Sequence, residues 1–251
     1  MKKACYGRVN GPEVTPQEFI HKATPLYKER NIFPYCKACG QRVDLYGVNS
    51  PEGPSRFDHP NYPNDADPLD DCILANRTRR FRGLQPSGFD EDREQGMRND
   101  FFALDNLRKT YFFMWKLCGR GCLPREKFVQ CIQRADRKKI WAYHNIDLWC
   151  IPYILLTLNN FMSRNFEFHF FIDKRLSSPI DEIWEGQKIC TLCKVFSDSG
   201  RLLKSSEQIQ NPFPISIPAY NGITLNTDWP DDSFLVSLQM ACNINCNIPE
   251  R

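Results

Sequence analysis

Four side chains near the N-terminus have the types and the spacing of metal ligands. Cys36 and Cys39 are separated by two residues, and His59 and Cys72 follow downstream. Two cysteines at this spacing can point both thiolates at one ion from a single tight turn, and Gly40 supplies the positive backbone torsion that such a turn commonly needs. Three cysteines and one histidine make a closed tetrahedral site. The pattern predicts one structural zinc ion bound by Cys36, Cys39, His59 and Cys72.

Short strands and a helix start are expected around these ligands. The alternation in residues 41–46 is typical of a strand that leaves the cysteine turn, and residues 55–58 form a second strand that leads into His59. Upstream, residues 3–14 could form a short hairpin, and residues 15–18, Thr-Pro-Gln-Glu, have the pattern of a capped helix start. Together these features predict a zinc-ribbon domain.

This N-terminal pattern resembles the zinc ribbon of competence CoiA-like proteins of bacteria and their mobile elements. The resemblance covers about residues 1–75 and is carried by Cys36, Cys39, Gly40, Phe57, His59 and Cys72. It implies a bacterial or mobile-element protein. It also implies a nuclease-like domain, in which an Asp and a Glu or Gln with a nearby Lys hold a divalent metal beside the phosphate.

The rest of the chain does not carry that nuclease pattern. The nearest candidates are Asp173 with Lys174, and Glu182 or Glu185 with Lys188, but their spacing does not match. The sequence also lacks a phosphate-binding glycine loop and a recognisable Ser-His or Cys-His motif. We therefore predict a protein without clear catalytic machinery, and no small-molecule substrate is identified.

Clusters of basic residues are the sequence features that favour nucleic-acid binding. The net charge is only +3, so global charge gives little support and the argument rests on local groups. Arginines around an aromatic ring can grip phosphates and stack a base, and the predicted contact residues are Arg77, Arg79, Arg80, Phe81, Arg82, Lys138 and Lys139. Equally, the arginines could form a solvated face that pairs with the acidic residues 90–94, and the lysines could complement a helix C-terminus.

The twelve cysteines are interpreted through their compartment. The sequence shows neither a secretory signal nor a run apolar enough to span a bilayer, so we expect a cytoplasmic protein that does not bind membranes. In a reducing compartment, clustered cysteines are metal ligands or small buried hydrophobes. A second metal site could combine Cys190 and Cys193 with Cys242 and Cys246, although burial explains these residues as well.

The whole chain is expected to have an α+β fold with three structured parts. A zinc-ribbon domain covers residues 1–75, and residues 76–96 form a linker with a basic and then an acidic run. Residues 97–163 repeat apolar side chains at helical spacing, and residues 164–251 form a β-rich C-terminal region with predicted strands that include residues 215–220 and 234–240.

Three functions are compatible with this organisation. The first is a zinc-binding intracellular protein that binds nucleic acid, DNA more readily than RNA, without catalysis. The alternative is a protein-interaction adaptor or inhibitor encoded on a mobile element, whose exposed aromatic side chains contact a protein partner. The third is a metal-dependent nuclease related to CoiA-like proteins.

Overall fold

The mixed α+β class predicted from the sequence is confirmed. A computed structural model describes residues 1–48, 54–60, 72, 74–75, 88–144, 146–164, 166–173, 190–197, 209–223 and 229–245. Within these residues the chain forms seven α-helices and antiparallel sheets of three, two and four strands. Two compact units, Met1–Arg79 and Arg80–Arg251, divide the chain.

The N-terminal unit is built from short strands and one helix. Its elements are β1 (Ala4–Tyr6), β2 (Glu13–Val14), α1 (Pro16–Ala23), β3 (Pro34–Tyr35), β4 (Asp44–Tyr46) and β5 (Arg56–Asp58). The first three strands form an antiparallel sheet in the order β2-β1-β3, and β4 pairs with β5 in a separate ladder. These small ladders surround the predicted metal ligands.

Helix α1 supplies the aromatic core of this unit. The Thr15 hydroxyl accepts a hydrogen bond from the Glu18 N–H at 3.3 Å, and the Glu18 carboxylate accepts one from the Thr15 N–H at 2.7 Å. This capping box fixes the start of α1, as the sequence predicted. The helix then buries Phe19, whose ring centroid lies 5.5 Å from that of Tyr6 and 6.0 Å from that of Phe57. The ring contacts join α1 to β1 and β5.

The C-terminal unit combines six helices with a four-stranded sheet. Its helices are α2 (Glu91–Phe102), α3 (Leu104–Cys118), α4 (Arg125–Arg137), α5 (Ile151–Thr157), α6 (Ile217–Asn221) and α7 (Asp232–Asn245). The strands β6 (Asn160–Ser163), β7 (Phe166–Asp173), β8 (Cys190–Ser197) and β9 (Ile209–Ile215) pair consecutively and antiparallel. Helix α5 is buried along its whole length, and it packs against α3 and β7.

Two predicted strands near the C-terminus are wrong. Residues 234–240 belong to α7, which buries Leu235, Leu238 and Cys242 at the three- and four-residue steps of a helix. Residues 215–220 begin at the last residue of β9 and continue into α6, because the Ser216 hydroxyl caps the helix by accepting from the Ala219 N–H. The C-terminal region is therefore mixed, with α7 packed against α3 and α4.

The acidic half of the predicted linker is also structured. Asp90 is the N-cap of α2, and its carboxylate accepts a hydrogen bond from the Arg93 N–H. The acidic residues Glu91, Asp92 and Glu94 occupy the first turn, where negative charge complements the helix dipole. None of the described helices combines the length and the apolar character that spanning a bilayer requires.

Candidate metal centre

The structure brings the four predicted ligands of the N-terminal unit together. One ligand atom from each of Cys36, Cys39, His59 and Cys72 lies within 4.8 Å of the other three. The sulfur atoms of Cys36 and Cys72 are 3.7 Å apart, and the Cys39 sulfur lies 3.4 Å from the His59 Nε2 atom. This group could hold one metal ion.

A tight turn at residues 36–40, called the knuckle below, presents the first two ligands. The Gly40 N–H donates to the Cys36 carbonyl at 2.9 Å, and the Cys36 N–H donates to the Gln41 carbonyl at 2.8 Å. Gly40 has a φ of +68°, a left-handed conformation that favours glycine. The Ala38 N–H also lies 3.4 Å from the Cys36 sulfur and donates to it. The backbone therefore fixes the Cys36 side chain in place.

The β4–β5 hairpin and a downstream turn supply the other two ligands. Asp58 pairs with Asp44 across the hairpin, so His59 follows directly from the end of β5. Phe57, one residue earlier, is completely buried and anchors this strand. The buried Cys72 sulfur accepts a hydrogen bond from the Leu74 N–H at 3.4 Å. Both ligands are thus tied to ordered backbone.

The electrostatics of the cluster favour a thiolate at Cys36. Hydrogen bonds from the side chains of Cys39, Cys72 and His59 lower the pKa of the Cys36 thiol. Burial opposes the charged form of His59, but hydrogen bonds to Cys36 and Cys39 outweigh it and raise the His59 pKa to about 9. The thiolate is the form of cysteine that binds metal, so Cys36 is held in a form that can bind a cation.

The two nitrogen atoms of the His59 ring have different surroundings. Its Nε2 atom faces Cys39 and is the nitrogen placed to bind a metal ion. Its Nδ1 atom is buried and has no hydrogen-bond partner among the described residues. A histidine that binds metal usually donates a hydrogen bond from its other nitrogen. In a metal-bound His59, the Nδ1 atom is therefore the one that would donate a hydrogen bond that orients the ring.

Comparisons with known proteins leave the family open. No protein family, curated protein or solved structure matches the chain. The resemblance to CoiA-like proteins therefore stays a prediction, and the candidate metal centre rests on its own geometry and chemistry.

The predicted second cysteine site does not form a cluster in the part of the chain that is described. Cys190 and Cys193 lie on β8 and Cys242 lies on α7, all three buried, while Cys246 lies outside the described residues. Among the described residues, the N-terminal group is the only set of three or more ligating side chains close enough to share an ion.

The predicted nucleic-acid contacts have different outcomes. Residues 77–82, with the four arginines and Phe81, lie outside the described residues. Lys138, the C-cap residue of α4, is only 6% exposed, so its ammonium does not suit a phosphate contact. Lys139 is 39% exposed and lies 3.4 Å from the Glu91 carboxylate. Of the described candidates, Lys139 alone remains at the surface.

One solvent-facing pair beside the knuckle was not predicted. The guanidinium carbon of Arg42 lies 3.5 Å from the centroid of the Phe33 ring. Arg42 is exposed and Phe33 is half-buried. The sequence places Phe33 three residues before Cys36 and Arg42 three residues after Cys39. This symmetry about the knuckle is the signal that could have revealed the pair.

The C-terminal unit contains an open surface cavity without a convergent set of catalytic groups. The cavity has a volume of about 620 Å³, and its walls include the cations Arg93 and Lys109 and the acids Asp100 and Asp147. Arg93 donates to the backbone carbonyl of Tyr143 at 2.9 Å and also to that of Ile146. Several N–H groups of the Arg93 guanidinium are therefore already used in hydrogen bonds to the backbone.

Proposed function

We propose that this chain is a zinc-binding protein whose N-terminal unit is a zinc ribbon and which binds nucleic acid without catalysing a reaction. The observation that carries the proposal is the convergence of Cys36, Cys39, His59 and Cys72 on one point, with all ligand atoms within 4.8 Å of one another. The metal part of the proposal has direct geometric support. The nucleic-acid part is supported by charge and by an exposed arginine–aromatic pair.

The spacing of the ligand atoms supports zinc. A tetrahedral ion with the usual zinc–sulfur and zinc–nitrogen bond lengths separates two sulfurs by about 3.8 Å and a sulfur and a nitrogen by about 3.6 Å. Two of the six separations are close to these values, 3.7 Å between Cys36 and Cys72 and 3.4 Å between Cys39 and His59, and all four ligand atoms lie within 4.8 Å of one another. Three thiolates and an imidazole also suit zinc far better than magnesium or calcium, which prefer oxygen ligands.

The proposed zinc has a structural role. Four protein ligands leave no coordination position for water or substrate. Cys36 and Cys72 are buried, and backbone N–H groups donate to both sulfurs. A metal held in this way joins β3, β5 and a turn far along the chain, so its removal costs the unit its fold instead of an activity.

Nucleic-acid binding is the function that best explains the basic residues around this scaffold. In the sequence, the arginines of residues 77–82 flank one aromatic residue, and the described Arg42 lies against Phe33. Guanidinium groups contact phosphates and stack on bases, so both features suit a nucleic acid. We favour DNA over RNA and an intracellular bacterial or mobile-element protein, in agreement with the resemblance to CoiA-like proteins.

A protein-interaction adaptor or inhibitor is the second candidate. The observation that favours it is a set of exposed apolar side chains on the C-terminal unit. Met162 and Phe166, which bracket the β6–β7 turn, are 49% and 55% exposed, and Met240 on α7 is 61% exposed. Exposed aromatic and methionine side chains are enriched in protein interfaces. A stoichiometric protein that co-purifies after nuclease treatment would favour this function.

A metal-dependent nuclease is less well supported. Glu167 and Asp173 both lie on β7, where Glu167 pairs with Ser197 and Asp173 pairs with Thr191. Six residues of strand separate two positions by about 20 Å, which is too far for one metal ion. Glu185 lies outside the described residues. Magnesium-dependent cleavage that is lost in Glu167→Gln or Asp173→Asn protein would restore this candidate.

Fluorescence anisotropy with metal analysis on the same sample tests the proposed function. Labelled single-stranded and double-stranded DNA and RNA are titrated with the full chain at low and near-physiological salt. We expect one zinc per chain and an affinity that falls steeply with salt, because phosphate contacts release counterions. If the protein contains zinc but binds no nucleic acid, the zinc ribbon is kept as a structural unit and the protein-interaction function becomes the better candidate. A protein without zinc would contradict the proposal.

A further inference from the structure

An arginine–aromatic pair stands at the edge of the metal centre. Arg42 is exposed, and its guanidinium carbon lies 3.5 Å from the centroid of the Phe33 ring. This distance is typical of a guanidinium stacked on an aromatic face. The contact orders a long side chain before any ligand arrives, which lowers the entropy cost of binding through it.

The turn between β1 and β2 adds a second cation next to this pair. The Gly7 N–H donates to the Phe33 carbonyl at 3.0 Å, so the turn begins against the pair. At its other side, the Cγ1 atom of Val9 lies 3.3 Å from the position that a Cβ atom of Gly40 would occupy. Between these contacts stands Arg8, which is exposed, and Val9 itself is 49% exposed. The exposed residues of this turn together with the pair, Arg8, Val9, Phe33 and Arg42, are called the knuckle face below.

The two arginines of the knuckle face differ from their neighbours in charge pairing. Lys37 lies 3.0 Å from the Glu13 carboxylate, and Arg56 lies 2.6 Å from the Asp58 carboxylate. Among the described residues, no carboxylate forms an ion pair with Arg8 or Arg42. Within the part of the chain that the structure describes, the two arginines of the knuckle face therefore carry positive charge that no ion pair neutralises.

We propose that the knuckle face is the contact surface for single-stranded DNA; this inference rests on the proposed nucleic-acid function and assigns it a location. The solvent-facing side of Arg42 offers a plane on which an unpaired base stacks, with Phe33 supporting it from behind. Arg8 contacts an adjacent phosphate, and Val9 contacts the apolar edge of a base or sugar. A single strand fits because the bases of a duplex are already stacked on each other and cannot reach Arg42.

The geometry also couples this surface to the metal centre. Gly40, which lies beside Val9, donates from its N–H to the Cys36 carbonyl at 2.9 Å. Loss of metal frees the knuckle, and with it the support that holds Val9 and Arg8 in place. Affinity for single-stranded DNA should therefore depend on bound zinc even though zinc does not contact the DNA.

Three arginine substitutions test the proposal in the full chain. The probe is a fluorescein-labelled dT15 oligonucleotide, titrated at several salt concentrations. Arg42→Ala should weaken binding by about fivefold or more, the range for loss of one stacked base. Arg42→Lys keeps the positive charge but replaces the planar guanidinium with an ammonium group that cannot stack on a base. It should therefore weaken binding while leaving the salt dependence unchanged. Arg8→Gln should lower the slope of log K against log salt concentration by about 0.7, the value for one phosphate on a single strand.

Arg56→Gln is the matched control. It removes one exposed arginine from the same unit, but Asp58 already neutralises that guanidinium. We expect its affinity to stay within about twofold of the unmodified protein. Zinc content and melting temperature of each variant show that the fold is retained.

The outcomes separate this inference from the proposed function. If the unmodified protein binds dT15 and the Arg8 and Arg42 variants bind equally well, the knuckle face is wrong and the nucleic-acid function stands. If Arg56→Gln weakens binding as much as Arg42→Ala, the effect is general electrostatics and the location is also wrong. If the unmodified protein binds no nucleic acid, both ideas fail. Equal or tighter binding to a duplex of the same length would contradict the stacking mechanism.

Discussion

The sulfur atoms of Cys36 and Cys72 lie 3.7 Å apart although 36 residues separate them in the sequence. Closing a loop of this length has an entropy cost of several kcal/mol, and two thiols in van der Waals contact do not offset it. Both side chains are buried, and both sulfurs accept backbone hydrogen bonds. A metal ion bound by both thiolates would offset the entropy cost of closing this loop. The stability of the N-terminal unit should therefore depend on the cluster.

Removal of the metal should unfold the N-terminal unit alone. Zinc binding to small structural sites contributes about 10–16 kcal/mol, comparable to the whole stability of a typical domain. We expect a chelator to abolish hydrogen-exchange protection in the strands and helix of Met1–Arg79, while the core helices of Arg80–Arg251 stay protected. Mass spectrometry of exchanged peptides measures both units in one sample. Unchanged protection of β3 and β5 after complete zinc removal would argue against a structural metal.

Two glycine substitutions should change stability in opposite directions. Gly40 has a φ of +68°, and an added Cβ would lie 3.3 Å from Val9, so Gly40→Ala should cost about 1–2 kcal/mol and weaken metal binding. Gly96 lies within α2, where an added Cβ meets nothing within 4 Å, so Gly96→Ala should raise the free energy of unfolding by about 0.5–1 kcal/mol. Urea denaturation of both variants checks the pair. A stabilising Gly40→Ala would show that the knuckle is not held as described.

Asp136 should be the most sensitive acidic side chain of the C-terminal unit. Its two carboxylate oxygens accept from Arg98 at 2.9 and 3.1 Å, and one also accepts from the Trp141 Nε1 atom at 2.6 Å. The side chains of Arg98 and Asp136 are only 17% and 22% exposed, so Asp136→Ala leaves a poorly solvated guanidinium and should cost about 3 kcal/mol. Denaturant unfolding measures this change.

Asp105→Ala is the control for this network. Asp105 is 95% exposed and pairs with Arg108 at 3.2 Å. An ion pair at the surface contributes little, so we expect a change within about 0.5 kcal/mol. Equal effects of the two substitutions would mean that the Arg98–Asp136 pair does not stabilise the unit.

Tyr111 should make the protein sensitive to alkali. Burial, with smaller effects from the charges of Cys118 and Glu126, raises the pKa of Tyr111 to about 12. An unfolded tyrosine titrates near pH 10, so between about pH 10 and 12 the unfolded chain loses this proton and the folded chain keeps it. The folded state binds more protons, and the free energy of unfolding falls with rising pH by about 1.4 kcal/mol per unit.

Comparison with Tyr111→Phe isolates this effect. Near pH 8 the variant should be about 1 kcal/mol less stable, because the Tyr111 hydroxyl donates to the Leu123 carbonyl at 2.9 Å. That deficit should shrink and then reverse as the pH rises from 10 to 12. Urea denaturation across this range provides the measurement. A constant difference between the two proteins would contradict the burial of the hydroxyl.

Features of the N-terminal unit that depend on neighbours in sequence were predictable. The Thr15–Glu18 capping box, the left-handed Gly40 and the strand before His59 each need only a few consecutive residues. The same local patterns predicted the candidate ligands Cys36, Cys39 and His59, since two cysteines at short spacing and a histidine after a strand suffice. Their convergence required the β4–β5 ladder to bring His59 back, and the alternation of apolar residues anticipated it.

The C-terminal helix α7 shows where local patterns misled. Apolar residues at 234, 236, 238 and 240 alternate as in a strand, yet Leu235, Leu238 and Cys242 also follow a helical period. The Asp231 carboxylate, which accepts from the Phe234 N–H at 2.8 Å, decides between the two by capping a helix. Contacts such as that of Arg98 with Asp136 depend on how two elements meet in space, and no spacing rule predicts them.

The metal content of the purified chain is the most direct test of the proposed zinc site. Elemental analysis should find one zinc ion per unmodified chain, and Cys39→Ser should lose most of it together with the stability of the N-terminal unit. Cys122→Ala, which removes a buried cysteine outside the cluster, should retain one zinc ion. A Cys39→Ser protein that keeps its full zinc content and melting temperature would contradict the central claim.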